Sequence, residues 1–267
     1  MSSLVSRQSR VRRDRFFSAF FLWVISMSSL ANAHGQLADT VAKITPSIVG
    51  IGSFDPLGTP KAQLKATGFV VENGKYVVTN FHVVEGVEVS DRTKLVVFSG
   101  SGNEQEVFLA KVVGEDRQND LVVLSYESPS KRRLPALRLI DGDGMRRVGE
   151  SIAFTGYPIG AVLGFYAVTH TGIISSVTPI VIPADRASQL TAKSLKRLRN
   201  PYFVYQLDAT AYPGNSGSPV YLPDTGEVVG VVNKVFIKET KESVLEKPSG
   251  ITYAIPVNAL KALLDSL

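Results

Sequence analysis

The chain has 267 residues, 44% of them hydrophobic, a formal net charge of +5 and no cysteine. That length and apolar content suit a globular protein of one large domain or two small ones, and the missing thiols exclude structural disulfides, a cysteine nucleophile and thiolate metal sites. The positive charge is local: five arginines against Asp14 fall within residues 1–33, so the remainder carries about +1 and offers no argument for nucleic-acid binding.

Those arginines (Arg7, Arg10, Arg12, Arg13 and Arg15) precede the apolar run "FFSAFFLWVISM" and the small residues "SSLANA". Charged, apolar, then small is the order of a secretory signal peptide, with cleavage expected after Ala33 and a periplasmic or secreted product. The run is short for a bilayer span, so no integral membrane segment is expected after cleavage; an uncleaved anchor is the alternative.

Downstream, "TVAKITP" suits a short helical entry segment. Short runs rich in Val, Ile, Phe, Tyr and Thr then recur between turn signals: "SIVGIG", "TGFVV", "YVVTN", "KLVVFS", "EVFLAKVVG" and "DLVVLSY". After the charged stretch "KRRLPALRLIDGDGMRRVG" come "SIAFTGY", "GIISSV", "YFVYQLDA", "EVVGVVNKVFI" and "ITYAIPV". Their lengths and β-branched content predict strands, and many short strands between Gly- and Pro-containing turns predict an all-β barrel or sandwich fold. A boundary near Gly142 to Gly144 divides them into segments 34–143 and 144–267. The "DGDG" there lacks the later positions of a calcium loop and reads as a turn. Between Pro183 and Pro201 the sequence "ADRASQLTAKSLKRLRN" suits a short basic helix, and "NALKALLDSL" from Asn258 places Leu260, Leu263, Leu264 and Leu267 on one helical face.

Three histidines stand beyond Ala33. His34 would be a solvated terminus, and His170 in "VTHTGIIS" reads as packing or surface within a strand. His82 follows a strand end in "YVVTNFHVVEG", while Asp120 opens the apolar run "NDLVVLSY". Each has an ordinary structural reading, as a half-buried polar residue or a strand cap. The stretch "AYPGNSGSPVY" likewise reads as a turn, with Ser216 between glycines. Together the three supply acyl-transfer parts in the order His, Asp, Ser. A serine hydroxyl needs a neutral imidazole to take its proton as it attacks, and the imidazole needs a carboxylate to fix its tautomer. The resulting oxyanion needs donors, which the backbone N–H groups of Gly214 and Ser216 can supply, and neighbouring glycines leave room for substrate.

Six ordered blocks resemble the protease domain of the high-temperature-requirement (HtrA/Deg) trypsin-like serine proteases: "ATGFVVENGKYVVTNFHVV", "EDRQNDLVVL", "VGESIAFTGYPIG", "HTGIISSV", "YQLDATAYPGNSGSPV" and "GITYAIPV". The resemblance implies two Greek-key β-barrels of chymotrypsin-like architecture with a short C-terminal helix and the active site in the cleft between barrels. His82, Asp120 and Ser216 carry over as the catalytic residues, with Gly214 and Asn215 in the oxyanion loop. The first two fall in the N-terminal barrel and Ser216 in the C-terminal one. In such folds the residue six before the nucleophile lies at the base of the primary pocket. That is Thr210, followed by Ala211, and neither is charged. The segment from Pro183 to Pro201 falls where the family carries its activation-sensing loop; Arg186, Lys193, Lys196, Arg197 and Arg199 make it locally basic.

Two departures qualify the resemblance. Ser218 replaces the second glycine of the family's serine motif, and the PDZ domain of many members does not follow residue 257. The implied activity is an exported serine endopeptidase acting on polypeptides, needing no metal or cofactor; a homo-oligomer is compatible with it. The competing class is a non-catalytic binding module on the same scaffold. A serine esterase fits less well, because the elbow pattern of those enzymes is broken at Ser218.

Overall fold

The alternating and continuous apolar runs form two closed antiparallel barrels of six strands each. The computed structural model describes residues 36–87, 89–102, 104–127, 133–158, 164–179, 202–233 and 251–267. The first barrel contains β1 (Ile48–Phe54), β2 (Ala62–Val71), β3 (Tyr76–Asn80), β4 (Lys94–Ser101), β5 (Glu104–Asp116) and β6 (Leu121–Glu127). The second contains β7 (Ser151–Gly156), β8 (Val168–Pro179), β9 (Phe203–Asp208), β10 (Pro219–Tyr221), β11 (Val228–Val232) and β12 (Ile251–Pro256). Their orders, β1-β2-β3-β6-β5-β4 and β10-β11-β12-β9-β8-β7, close each sheet on itself, so neither barrel has a free edge.

Helices are few. Residues 36–44 form α1, continuing into a 3₁₀ turn at Thr45–Ser47; Phe81–Glu85 form the one-turn α2; Val257–Asp265 form α3. The expected entry helix is therefore real and starts earlier than Thr40. The expected final helix buries Leu260 and Leu263. The basic segment of residues 183–201 and the signal-like residues 1–33 lie outside the described residues. No helix among the described residues is long and apolar enough to cross a membrane.

Each barrel has its own interior. Val49, Ile51, Val77, Val97, Val122 and Leu124 fill the first, and Ile152, Phe154, Ile174, Leu207, Val229 and Val232 fill the second. A third cluster joins them: Phe69, Val78, Val96 and Leu121 from the first barrel meet Tyr157, Tyr221, Val231, Ile255 and Leu260. Strands with apolar residues on both faces arise because one face lines a barrel and the other packs between barrels. That junction is where the candidate site is built.

Candidate active site

β3 ends in the buried pair Thr79–Asn80, and the chain then turns into α2 with His82 on its second residue. Asp120 holds this corner with all its oxygens. Its carbonyl accepts from Phe81 N at 3.1 Å and from Asn80 Nδ2 at 3.0 Å. One carboxylate oxygen accepts from His82 N at 2.8 Å and the other meets His82 Nδ1 at 2.6 Å. With Nδ1–H donating to a carboxylate, the neutral imidazole presents Nε2 as its proton acceptor. Both side chains keep about a fifth of their surface exposed (20% and 21%), so a substrate can reach the ring.

Asp120 reaches that position through a strained turn. Asp116 Oδ1 accepts from the backbone N–H groups of Gln118 and Asn119, both at 3.0 Å, and Asn119 Nδ2 donates to Asp116 Oδ2 at 2.6 Å. Asp120 itself has φ of +55°, a left-handed conformation that Asn and Asp enter more readily than other side chains.

The loop carrying Ser216 belongs to the second barrel but is held by the first. Thr67 N donates to Ser216 O at 3.0 Å, and Thr67 Oγ1 donates to Gly214 O at 2.8 Å. Within the loop, Asn215 N donates to Tyr212 O at 3.0 Å, Gly217 N to Val232 O at 2.9 Å and Ser218 N to Asn215 O at 3.0 Å. Gly214 and Gly217 have φ of +102° and +83°. A side chain on Gly217 would also run into Thr67 O and Thr79 Oγ1, so both its conformation and its contacts require glycine. The amides of Gly214 and Ser216 have no acceptor among the described residues, whereas that of Asn215 is engaged.

The His82–Asp120 pair is thus directly bonded and Ser216 is tied across the barrels, but no hydrogen bond among the described residues joins Ser216 to His82. Thr210 is half-buried, and Ala211 is buried with its N–H donating to Thr252 Oγ1 at 3.1 Å. His170 lies in β8, stacked on Phe154 with ring centroids 4.9 Å apart, consistent with packing. Ser218 is fully buried, and its Oγ has no partner among the described residues; it sits where a side chain on Gly156 would otherwise be. No cluster of three or more His, Cys, Asp or Glu side chains able to hold a metal ion occurs among the described residues.

Thr67, Asn80 and Asp116 did not emerge as separate candidates from the sequence. Thr67 had a readable signal, because a hydroxyl inside an apolar strand must find a partner when buried.

Comparison with known proteins is consistent with this geometry. A trypsin-like peptidase domain is recognised over residues 66–231. The serine protease Do-like HtrA of Bacillus subtilis is 31% identical over 249 residues, covering 87% of this chain and 48% of the relative. A probable periplasmic serine endoprotease, DegP-like, of Halomonas elongata is 30% identical over 201 residues, covering 75% of this chain and 34% of the relative. The chain therefore spans between a third and a half of the length of these curated relatives. Among solved structures, an HtrA-type protease bound to a tripeptide aligns with a TM-score of 0.61 at 23% identity, covering 86% of this chain and 62% of that one. At that identity the likeness speaks for the fold.

Proposed function

We propose that this chain, which belongs to the trypsin-like peptidase domain family with DegP- and HtrA-type relatives, is an exported endopeptidase that uses Ser216 as nucleophile. The observation that carries the reading is the 2.6 Å contact between His82 Nδ1 and Asp120 Oδ2. It leaves Nε2 as the base, while the Gly214 and Ser216 amides, which have no acceptor among the described residues, can receive charge.

The steps follow from those positions. Ser216 Oγ adds to the substrate carbonyl carbon as its proton passes to His82 Nε2, and Asp120 stabilises the imidazolium. The carbonyl oxygen becomes an oxyanion between the Gly214 and Ser216 amides. Collapse breaks the C–N bond, His82 gives its proton to the leaving amine, and Ser216 is left acylated. Water, deprotonated by His82, then adds to the ester and releases the acid and the hydroxyl. The missing Ser216–His82 bond fits a resting site, since catalytic hydrogen bonds often tighten only when substrate binds.

Thr210 and Ala211 put no charge at the base of the primary pocket. A buried Arg or Lys of the substrate would lose its hydration there without a partner, so cleavage after small aliphatic residues is expected. Export and cleavage after Ala33 rest on the charge and hydropathy pattern of residues 1–33 and on relatives named periplasmic.

The test is labelling with a fluorophosphonate and profiling with an unbiased peptide library. Wild type should label and cut, while Ser216→Ala and His82→Ala should lose on the order of 10⁴ in kcat/KM with folding intact. Turnover by Ser216→Ala at the wild-type rate would end the proposal. A folded wild type that never labels, even with substrate, would favour the binding-module reading.

A further inference from the structure

We infer that Thr67, on the first barrel, is a positioning residue that sets the orientation of the nucleophile loop on the second. The inference rests on the Ser216-nucleophile reading and extends it to a side chain that touches no substrate.

Thr67 is fully buried in β2, and all of its polar groups are used. Its Oγ1 donates to Gly214 O and accepts from Tyr157 N, both at 2.8 Å. Its N–H donates to Ser216 O at 3.0 Å, and its carbonyl accepts from Thr79 Oγ1 at 2.7 Å. Three of these four bonds cross from the first barrel to the second. The fourth leads back along β3 through Thr79 to Asn80, which binds Asp120 O. One residue, through its backbone on one side and its backbone and hydroxyl on the other, therefore lies between the element bearing the base and the loop bearing the nucleophile.

The loop needs such an anchor. Gly214, at φ +102°, has the backbone freedom of glycine, so its peptide orientation is not fixed by its own sterics. Asn215, inside the turn, does not brace it: it is fully buried, and among the described residues neither its Oδ1 nor its Nδ2 has a partner. The carbonyls on either side of it, Gly214 O and Ser216 O, are both held by Thr67. Fixing those carbonyls fixes the 214–215 and 216–217 peptide planes that flank the 215–216 unit, and so restricts how Ser216 Oγ and the neighbouring amides of Gly214 and Ser216 are presented. The hydroxyl performs two roles that an isosteric methyl cannot: it supplies the donor for Gly214 O and the acceptor for Tyr157 N.

Thr67→Val keeps shape and the backbone bond to Ser216 but removes both hydroxyl contacts; Thr67→Ser keeps the hydroxyl and removes a methyl. Deleting an oxyanion donor outright costs roughly 10² to 10³ in kcat, and misorienting the loop should cost a smaller factor. The expected result for Thr67→Val is a fall in kcat of about ten- to a hundredfold with KM within about twofold, and a parallel fall in the fluorophosphonate labelling rate. Thr67→Ser should recover to within a few-fold of wild type. Affinity for a peptide boronic acid, which forms a tetrahedral adduct, should fall in step with kcat. A merely structural role would lower Tm while leaving kcat of the folded fraction unchanged. If Thr67→Val does not fold, Thr67→Ala against Thr67→Ser gives the same contrast. Wild-type kcat and labelling in a folded variant lacking the hydroxyl, alongside an inactive Ser216→Ala control, would overturn the inference and leave the nucleophile assignment standing. Activity in the Ser216→Ala control would overturn the nucleophile reading instead.

Discussion

His170 is the second histidine of the barrels, and its surroundings differ from those of His82 in one respect that decides its chemistry. Among the described residues it has no carboxylate partner: its ring stacks on Phe154, the Tyr212 ring lies 6.0 Å away, and its buried Nε2 makes no hydrogen bond. Burial pushes its pKa below the ordinary value of 6.5, because the charged form would be desolvated. The folded state therefore binds its proton less readily than the unfolded state. Stability from this residue is complete above about pH 6.5 and is lost as pH falls from there toward the depressed folded value. The expected outcome is a melting temperature that declines on acidification, with a shallower decline in His170→Phe over the same range. Parallel curves would show that His170 titrates alike in both states. The sequence told the two histidines apart by position, since one followed a strand end and the other sat within a strand. It could not separate their environments, because a carboxylate partner 38 residues away is a property of the fold.

At the scale of elements, the turn between β5 and β6 shows what brings the Asp120 carboxylate to His82. Asp116 closes the turn by accepting the Gln118 and Asn119 amides, and Arg117 lies over the Phe81 ring at 4.5 Å, pressing the turn against the residue before His82. The left-handed backbone of Asp120 then becomes affordable because its carbonyl and carboxylate are bonded to residues 80, 81 and 82. Asp116→Ala should release the turn and lower kcat/KM by about tenfold, on the view that misplacing a positioning group costs a fraction of its removal. Asp116→Asn, which retains an Oδ1 acceptor for the turn, should lie close to wild type; equal activity in all three proteins would dismiss the turn as a positioning element. Most strands were legible from β-branched content, but two short elements were not. β10 has three residues beginning with Pro219, and it exists because β7 and β11 pair with it. α2 has five residues with neither an N-cap side-chain bond nor a helical period, and it exists because Asp120 gathers its first amides. Such elements are set by their partners, so local pattern carries little trace of them.

At the scale of the whole molecule, the two barrels share a core as well as a site. Phe69, Val78 and Leu121 of one barrel, Tyr221, Val231 and Ile255 of the other, and Leu260 and Leu263 of α3 form one buried cluster. α3 reaches both barrels, and its Leu263 and the following Leu267 lie against Gly114 of β5. The strand pattern left barrel or sandwich open and the two Greek-key barrels came from the family resemblance, while this junction was visible only as strands apolar on both faces. Because the apolar area at the junction is contributed by both partners, opening it exposes surface on each. The barrels should therefore unfold in a single cooperative transition. Leu260→Ala tests this at the point of greatest leverage: the side chain is fully buried, and truncating such a leucine typically costs about 2–5 kcal/mol through lost transfer energy and the cavity left behind. The expected outcome is a large fall in melting temperature with one calorimetric peak retained. Residual peptidase activity and far-UV circular dichroism should also vanish together, since His82 and Ser216 stand on opposite sides of that interface. A second peak, or activity lost well before the strands melt, would mean that the barrels separate as independent units and that the site is held by the Thr67 contacts alone.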